Sequence, residues 1–258
     1  MGAGRSSSAA ITYLLDHAAE GGWHVTVGDF NVQSAEERIG ESKNGTAIRF
    51  NIEEAELCDK VIASSDVVIS LLPAAFHPIV ARHCLSLGKH LFNASYVSDE
   101  MNSFHEEAKS KGLLFMNECG LDPGIDHMSA MEVIDRVKAE GGKILSFESF
   151  TGGLIAPETD PDNPWRYKFT WNPRNVVMAG QGTAKFKQEN QYKFISYPQL
   201  FTRTTNVQIP KYGNFQGYAN RNSLKYMDTY GLNGVKTMLR GTLRNEGFCS
   251  AWNILLQL

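Results

Sequence analysis

Apolar residues along the first half of the chain fall into two alternating rhythms. Residues 5–20 carry Ile11, Leu14, Leu15 and Ala18 on one face of a helix, which Gly21-Gly22 ends. Trp23 to Asp29 is a β-rich run closing on an acid. The spacing then predicts a helix over 32–39, a strand over 46–50 ending at Asn51, and a helix over 53–63. Asp66 to Leu72 is a near-continuous apolar run broken only by Ser70 after its first residue, the pattern of a strand buried on both faces, and Pro73 stops it. A helix over 77–87, a strand over 89–93, a helix over 98–110 and a strand over 113–117 follow. Such alternation predicts an α/β fold with a doubly wound parallel sheet of the Rossmann type. Ligands of such sheets bind beyond the carboxyl ends of the strands. Those ends are Asp29, Asn51, Leu72-Pro73, Asn93-Ala94-Ser95-Tyr96 and Glu118 onward.

The rhythm breaks at Cys119-Gly120-Leu121-Asp122-Pro123-Gly124-Ile125-Asp126-His127. Two glycines and a proline call for a shaped loop, followed by a helix over 128–139. Its two carboxylates and imidazole are candidate acid–base or substrate-orienting groups. Asp126 reads better as a cap and Asp122 as the site residue. Beyond residue 142 the period changes to alternate positions, as in an antiparallel strand exposed on one face, over 143–151. A Pro-, Asp- and Asn-rich loop (156–164), an extended piece at 167–171, a helical turn at 174–180 and a hairpin through 185–187 and 192–195 follow. We therefore expect residues 1–120 to form the nucleotide-binding domain. Residues 121–258 should form an incomplete α+β substrate or dimerisation domain with a mixed or antiparallel sheet.

The turn Met1-Gly2-Ala3-Gly4-Arg5-Ser6-Ser7 has glycines spaced for a pyrophosphate, with a helix N-terminus behind it. Asp29 stands at the tip of the second strand of this βαβ unit, where a carboxylate accepts hydrogen bonds from adenosine ribose hydroxyls and repels a 2′-phosphate. It argues for NAD over NADP. Composition adds little: 258 residues, 42% hydrophobic and 21% charged, with net charge −3, give no nucleic-acid surface. The four cysteines and seven histidines lack metal-ligand or disulfide spacing, so no metal is expected. No apolar run is long enough to span a membrane, and a cytoplasmic protein is expected.

The stretches GAGRSS (2–7), SLLP (70–73), ASY (94–96), NECGLDPGIDHM (117–128), GGLIAPE (152–158), DNPWRYKFTW (162–171), YANRNSLKY (218–226) and LRGTLRNEGF (239–248) together resemble the saccharopine reductase family, the glutamate-forming saccharopine dehydrogenases. The match runs in order over essentially the whole chain, and its GLDPGIDH and RGTLR motifs are far more specific than the glycine turn. The resemblance implies NAD(P)-dependent cleavage of saccharopine to glutamate and 2-aminoadipate 6-semialdehyde, or the reverse, in lysine metabolism. It implies saccharopine contacts from Ser95, Tyr96, Asp122, Arg221 and the Gly241-Thr242 backbone. Arg240 and Arg244 lie on the same motifs, and three substrate carboxylates call for guanidinium forks. The cofactor would lie along Gly2, Gly4, Arg5, Ser6, Ser7, Asp29, Asn51, Leu71, Leu72, Asn93 and Ala94. Asp122 or Tyr96 is the candidate base, the alternative being that both orient substrate while a water carries the proton. A homodimer is compatible with this reading.

Three departures stand out. No strand precedes the glycine turn. Asp29 replaces a position that lacks an acid in the fungal, NADP-using members. The chain ends on an apolar run, Ala251 to Leu258, before the length of family members is reached. An incomplete form with exposed apolar edges, poor solubility and little turnover is the expectation. Two other functions stay open: a carboxynorspermidine- or homospermidine-type oxidoreductase, and a non-catalytic nucleotide-binding fragment.

Overall fold

A computed structural model describes residues 1–156, 158–170, 173–179 and 182–257. The chain divides into two compact units, Met1–His127 and Met128–Leu258.

In the first unit, helices and parallel strands alternate. The helices are α1 (Ser8–Asp16), α2 (Ala18–Gly21), α3 (Val32–Ile39), α4 (Ala55–Ala63), α5 (His77–Leu87), α6 (Asp99–Ser103) and α7 (His105–Ser110). The strands are β1 (Val25–Asp29), β2 (Gly45–Arg49), β3 (Val67–Ser70), β4 (His90–Asn93) and β5 (Phe115–Met116). β1 pairs β2, and β3, β4 and β5 pair in that order, all parallel. Residues Met1 and Gly2 lie between the two groups. The amide of Gly2 donates to Gly28 O (2.8 Å), Met1 N to Ile69 O (2.7 Å), and Leu71 N to Met1 O (2.8 Å). The position expected to be empty of a strand is thus spanned, at its carboxyl end, by the residues leading into the glycine turn. Gly2 has φ +95°, and a Cβ there would stand 2.9 Å from Leu71 O, so only glycine fits.

Two apolar clusters cover this sheet. Ala3, Ile11, Leu15, Val27, Ala35 and Ile39 join α1 and α3 to β1. Phe50, Ile62, Val68, Val80, Cys84 and Leu91 join α4 and α5 to β3 and β4. The helix expected at 77–87 has those bounds, with Gly88 in the left-handed C-cap conformation. The single helix expected at 98–110 is two: at Phe104 the amide bonds Met101 O, three residues back, and the helix tightens for one step. The strand expected at 113–117 pairs only through Phe115 and Met116, because the His90 ring, rather than a backbone carbonyl, accepts the Leu114 amide.

The next helix, α8 (Ile125–Ala139), begins three residues earlier than the sequence pattern suggests. In the second unit β6 (Ser146–Thr151), β7 (Ala184–Gln188), β8 (Gln191–Ile195), β9 (Thr205–Ile209), β10 (Gly213–Ala219) and β11 (Thr237–Asn245) form one sheet. Its order is β8-β7-β11-β10-β9, antiparallel, with β6 parallel to β11, so the expected mixed sheet is present. The hairpin β7–β8 turns through Glu189 and Asn190, both at positive φ, the two-residue geometry that suits strand twist. Short helices α9 (Pro173–Ala179), α10 (Tyr197–Leu200) and α11 (Tyr226–Thr229) precede α12 (Phe248–Leu255), whose Phe248 and Cys249 pack with Phe186, Leu200, Phe201 and Tyr218. Residues 167–170 belong to no strand or helix; Trp171, Gly180 and Leu258, which fall in expected elements, lie outside the described residues.

Candidate active site

The carboxyl ends of β1 and β2 carry the groups expected at the adenosine end of a dinucleotide. Gly4 and Arg5-Ser6-Ser7 form a tight turn ahead of α1: Ser7 N and Ser7 Oγ both donate to Gly4 O (3.3 and 2.8 Å). Ser7 is buried, so its hydroxyl holds the turn rather than facing outward. Gly4 is exposed and a Cβ there would meet nothing within 4 Å, which leaves an open face over the turn. Asp29 accepts from Ala3 N at Oδ2 (2.7 Å) and from Asn31 N at Oδ1 (2.9 Å). One carboxylate therefore fixes both the glycine turn and the start of the loop after β1. Asn51 accepts from Glu53 N (3.1 Å) and donates to Glu54 Oε1 (3.3 Å), shaping the entry to α4. Arg49, opposite Asp29 in the β1–β2 register, forks onto Glu54 (2.8 and 3.3 Å) and lies over the exposed Phe30 ring (5.8 Å).

The ends of β3, β4 and β5 are laced together. Asn93 is buried; its Oδ1 accepts from Ser95 N (2.9 Å) and its Nδ2 donates to Asn117 Oδ1 (2.6 Å). Cys119 N donates to Asn93 O (3.0 Å) and Glu118 N to Ser95 O (3.1 Å). Leu71 and Leu72 are half-buried beside Met1 and Gly2, and Ala94 packs close to Gly120. Tyr96 donates its hydroxyl to Asp122 Oδ1, which joins the two candidate catalytic groups.

Asp122 sits in a loop folded on itself. Gly120 N donates to Pro123 O (2.9 Å), Ile125 N to Gly120 O (2.9 Å) and Asp126 N to Leu121 O (3.0 Å). Gly124 has φ +149°, and a Cβ there would lie 2.0 Å from Gly120 O. Asp126 Oδ1 accepts the Gly124 amide (2.7 Å), so this acid ties the loop to the first turn of α8 instead of capping the helix from outside. His127 Nε2 lies 3.0 Å from Glu118 Oε2, whose Oε1 accepts Val97 N (3.0 Å). Glu118, expected at a strand end, belongs to this polar cluster, as do His77 and Asn117, which were not singled out by sequence. His77 begins a helix with apolar spacing, and nothing near it in the chain marks it as polar-bonded.

In the second unit the expected arginines are held by rings. Arg240 is buried, its guanidinium 4.2 Å over Tyr226, and its amide donates to Ser223 Oγ (2.9 Å). Arg244 lies over both Tyr167 (4.9 Å) and Phe248 (5.3 Å) and donates to Leu243 O (3.1 Å); its buried Nε has no hydrogen-bond partner among the described residues. Burial pushes the neighbouring Tyr218 phenol up to about 12, against a smaller opposing pull from Arg244. Gly241 and Thr242 lie inside the sheet with β6 on one side and β10 on the other. Glycine is required at 241 because a Cβ would stand 2.4 Å from the Phe150 ring. Arg221 is exposed, at φ 48°, a left-handed conformation costing a non-glycine residue about 1–2 kcal/mol.

Residues 1–116 match the family model described as the saccharopine dehydrogenase NADP binding domain, and residues 120–258 match the saccharopine dehydrogenase C-terminal domain. The chain belongs to the saccharopine dehydrogenase family. It is 40% identical over 228 residues to an alpha-aminoadipic semialdehyde synthase of Arabidopsis thaliana, covering 87% of this chain and 21% of that protein. It is 36% identical over 244 residues to the saccharopine dehydrogenase [NADP(+), L-glutamate-forming] of Pyricularia oryzae, covering 95% of this chain and 54% of that one. The solved apo saccharopine dehydrogenase (L-Glu forming) from Saccharomyces cerevisiae superposes with TM-score 0.86 at 36% identity, covering 96% of this chain and 55% of that one. The chain thus spans about half the length of the fungal saccharopine dehydrogenases it matches. Among the described residues no helix is long and apolar enough to cross a membrane, and no cluster of metal-ligating side chains is present.

Proposed function

We propose that this chain carries out the oxidoreduction of saccharopine at its CH–NH group, with NAD(P) as hydride carrier. Saccharopine, NAD(P)⁺ and water give glutamate, 2-aminoadipate 6-semialdehyde, NAD(P)H and a proton. The observation that carries the reading is the Tyr96–Asp122 pair, held at the mouth of the parallel sheet in a loop whose glycines admit no side chain. The open turn at Gly4, with the first amides of α1 behind it, fits a pyrophosphate. The bound nicotinamide supplies the hydride acceptor. Asp122 takes the amine proton or holds the water that hydrolyses the imine, and Tyr96 fixes the orientation of the carboxylate toward either task. Arg221, Arg240 and Arg244 offer guanidinium groups to substrate carboxylates, and the unpartnered Nε of Arg244 supports that role.

The finer cofactor choice is NAD. An acid at the tip of β1 repels a 2′-phosphate, and Asp29 is anchored there by two backbone amides. The four thiols, three of them buried, agree with a cytoplasmic protein. The test is absorbance at the nicotinamide band with saccharopine and either cofactor. Saccharopine-dependent reduction, slow in a chain that spans about half the length of its fungal relatives and faster with NAD than with NADP, is expected. Nucleotide binding without turnover would replace this reading by a nucleotide-binding module, and turnover only with carboxynorspermidine would replace the substrate.

A further inference from the structure

His77 is the first residue of α5 and is 3% exposed, yet both ring nitrogens are hydrogen-bonded: Nδ1 lies 2.9 Å from Ser70 Oγ and Nε2 lies 2.8 Å from Ser95 Oγ. Ser70 is fully buried at the end of β3, and Ser95 is half-buried at the site mouth between Asn93 and Tyr96. The backbone of Ser95 is already fixed on both sides, its amide to Asn93 Oδ1 (2.9 Å) and its carbonyl from Glu118 N (3.1 Å). What remains free is the side-chain rotamer and the direction of the hydroxyl hydrogen, and the imidazole is the group that settles them. An apolar pair of like volume would fill the same space at no greater cost, so stability alone does not call for an imidazole bonded to a serine here.

We propose that His77 is a positioning residue for the reaction, acting through Ser95. Burial holds the ring neutral, with its pKa down to about 4, so it offers one donor and one acceptor across the neutral range. One tautomer takes the Ser95 hydrogen and leaves Oγ to accept from the substrate amine. The other donates to Oγ and leaves Ser95 to donate to a substrate carboxylate. Either way the Ser70 hydroxyl, at the far nitrogen, supplies the complementary donor or acceptor and holds the ring plane, and the neighbouring Tyr96–Asp122 pair works on a substrate held in one pose.

The assignment rests on the saccharopine reading, and the experiment separates the two. Steady-state kinetics and NADH binding are measured for the wild-type chain, His77→Leu, His77→Gln, Ser95→Ala and the His77→Gln/Ser95→Ala double variant. His77→Leu should lower kcat/KM for saccharopine by about 10- to 100-fold with NADH affinity unchanged, since misplacement of about 1 Å can cost that much. His77→Gln, whose amide can reach Ser95, should recover most of the loss. In the Ser95→Ala background the His77 change should have no further effect, because effects through one partner are not additive. Additive losses, or a folded His77→Leu with unchanged kcat/KM, overturn the assignment alone. Should His77→Leu not fold, the cycle through His77→Gln decides by the same criterion. A wild-type chain that neither binds nor oxidises saccharopine overturns the functional reading and this assignment with it.

Discussion

In the first unit the candidate groups are held by hydrogen bonds to one another: Tyr96 to Asp122, Ser95 to His77 and Asn93, Asp29 to the glycine turn. In the second unit Arg240 and Arg244 are held by ring faces, over Tyr226 in one case and over Tyr167 and Phe248 in the other. A hydrogen-bonded acid or hydroxyl has its direction fixed at the expense of some of its bonding capacity. A guanidinium stacked on a ring is fixed through its π face, and the stack consumes none of its N–H donors, at about 0.5–2 kcal/mol of attraction. The first arrangement suits groups that handle protons along one line. The second suits groups that hold carboxylates. The contrast between aimed proton carriers and stacked anion holders is the basis of the following expectations.

The largest effect should come from the proton side. Asp122→Asn keeps an acceptor for Tyr96 but removes the base, and saccharopine turnover should fall about 10²- to 10⁴-fold with NADH affinity retained, as steady-state kinetics and calorimetry would show. A loss under tenfold would make Asp122 an orienting group only. Gly124→Ala places a Cβ where Gly120 O stands, so the loop must open. Turnover should drop at least about tenfold while the core stays folded by far-UV dichroism, because a displaced loop carries Asp122 with it.

On the anion side, Arg244→Met keeps the ring contact but removes the charge. Loss of one charge-assisted pair, about 1.5–3 kcal/mol, should raise KM for saccharopine roughly 10- to 100-fold with kcat changed far less. A fall confined to kcat would place Arg244 among the proton-handling groups and dissolve the contrast. A smaller effect is expected at the nucleotide turn. Asp29→Ser should narrow the preference for NAD over NADP about tenfold, read as the ratio of kcat/KM for the two cofactors.

A further effect concerns stability rather than turnover. The folded-state pKa of His77 lies below its unfolded value near 6.5, so its contribution is present above pH 6.5 and is lost as pH falls toward about 4. Over that window denaturant melts should show roughly 3 kcal/mol more loss in the wild-type chain than in His77→Gln, at about 1.4 kcal/mol per pKa unit. Equal slopes would mean the ring takes up its proton in the fold at the same pH as in the unfolded chain.

Much of this was legible in the sequence, unevenly. The alternation of apolar runs with helical spacing gave the parallel sheet, but the expected burial of β3 on both faces is not found: Val68 and Ser70 are buried, while Val67 is 48% exposed. The GLDPGIDH loop was legible because its glycines and proline permit few backbone paths. The Tyr96–Asp122 bond was not, since it joins residues 26 apart that share only strand ends. Nor was the His77 relay, whose partners Ser70 and Ser95 are brought in by two different strand termini, those of β3 and β4. The demand for glycine at 241 comes from Phe150 on a strand 91 positions earlier, a packing fact with no local signature. The ring contacts of Arg240 and Arg244 depend on sheet register in the same way.

The central claim is that the C–H bond broken is the one on the methylene carbon attached to the secondary amine, with Asp122 handling the accompanying proton. The most direct measurement uses saccharopine deuterated at that methylene, with NAD, and mass spectrometry of all products. The account predicts deuterium in the reduced nicotinamide, residual deuterium in the semialdehyde, unlabelled glutamate, and loss of all three signals in Asp122→Asn. Unlabelled reduced nicotinamide, or lysine and 2-oxoglutarate as products, would contradict it.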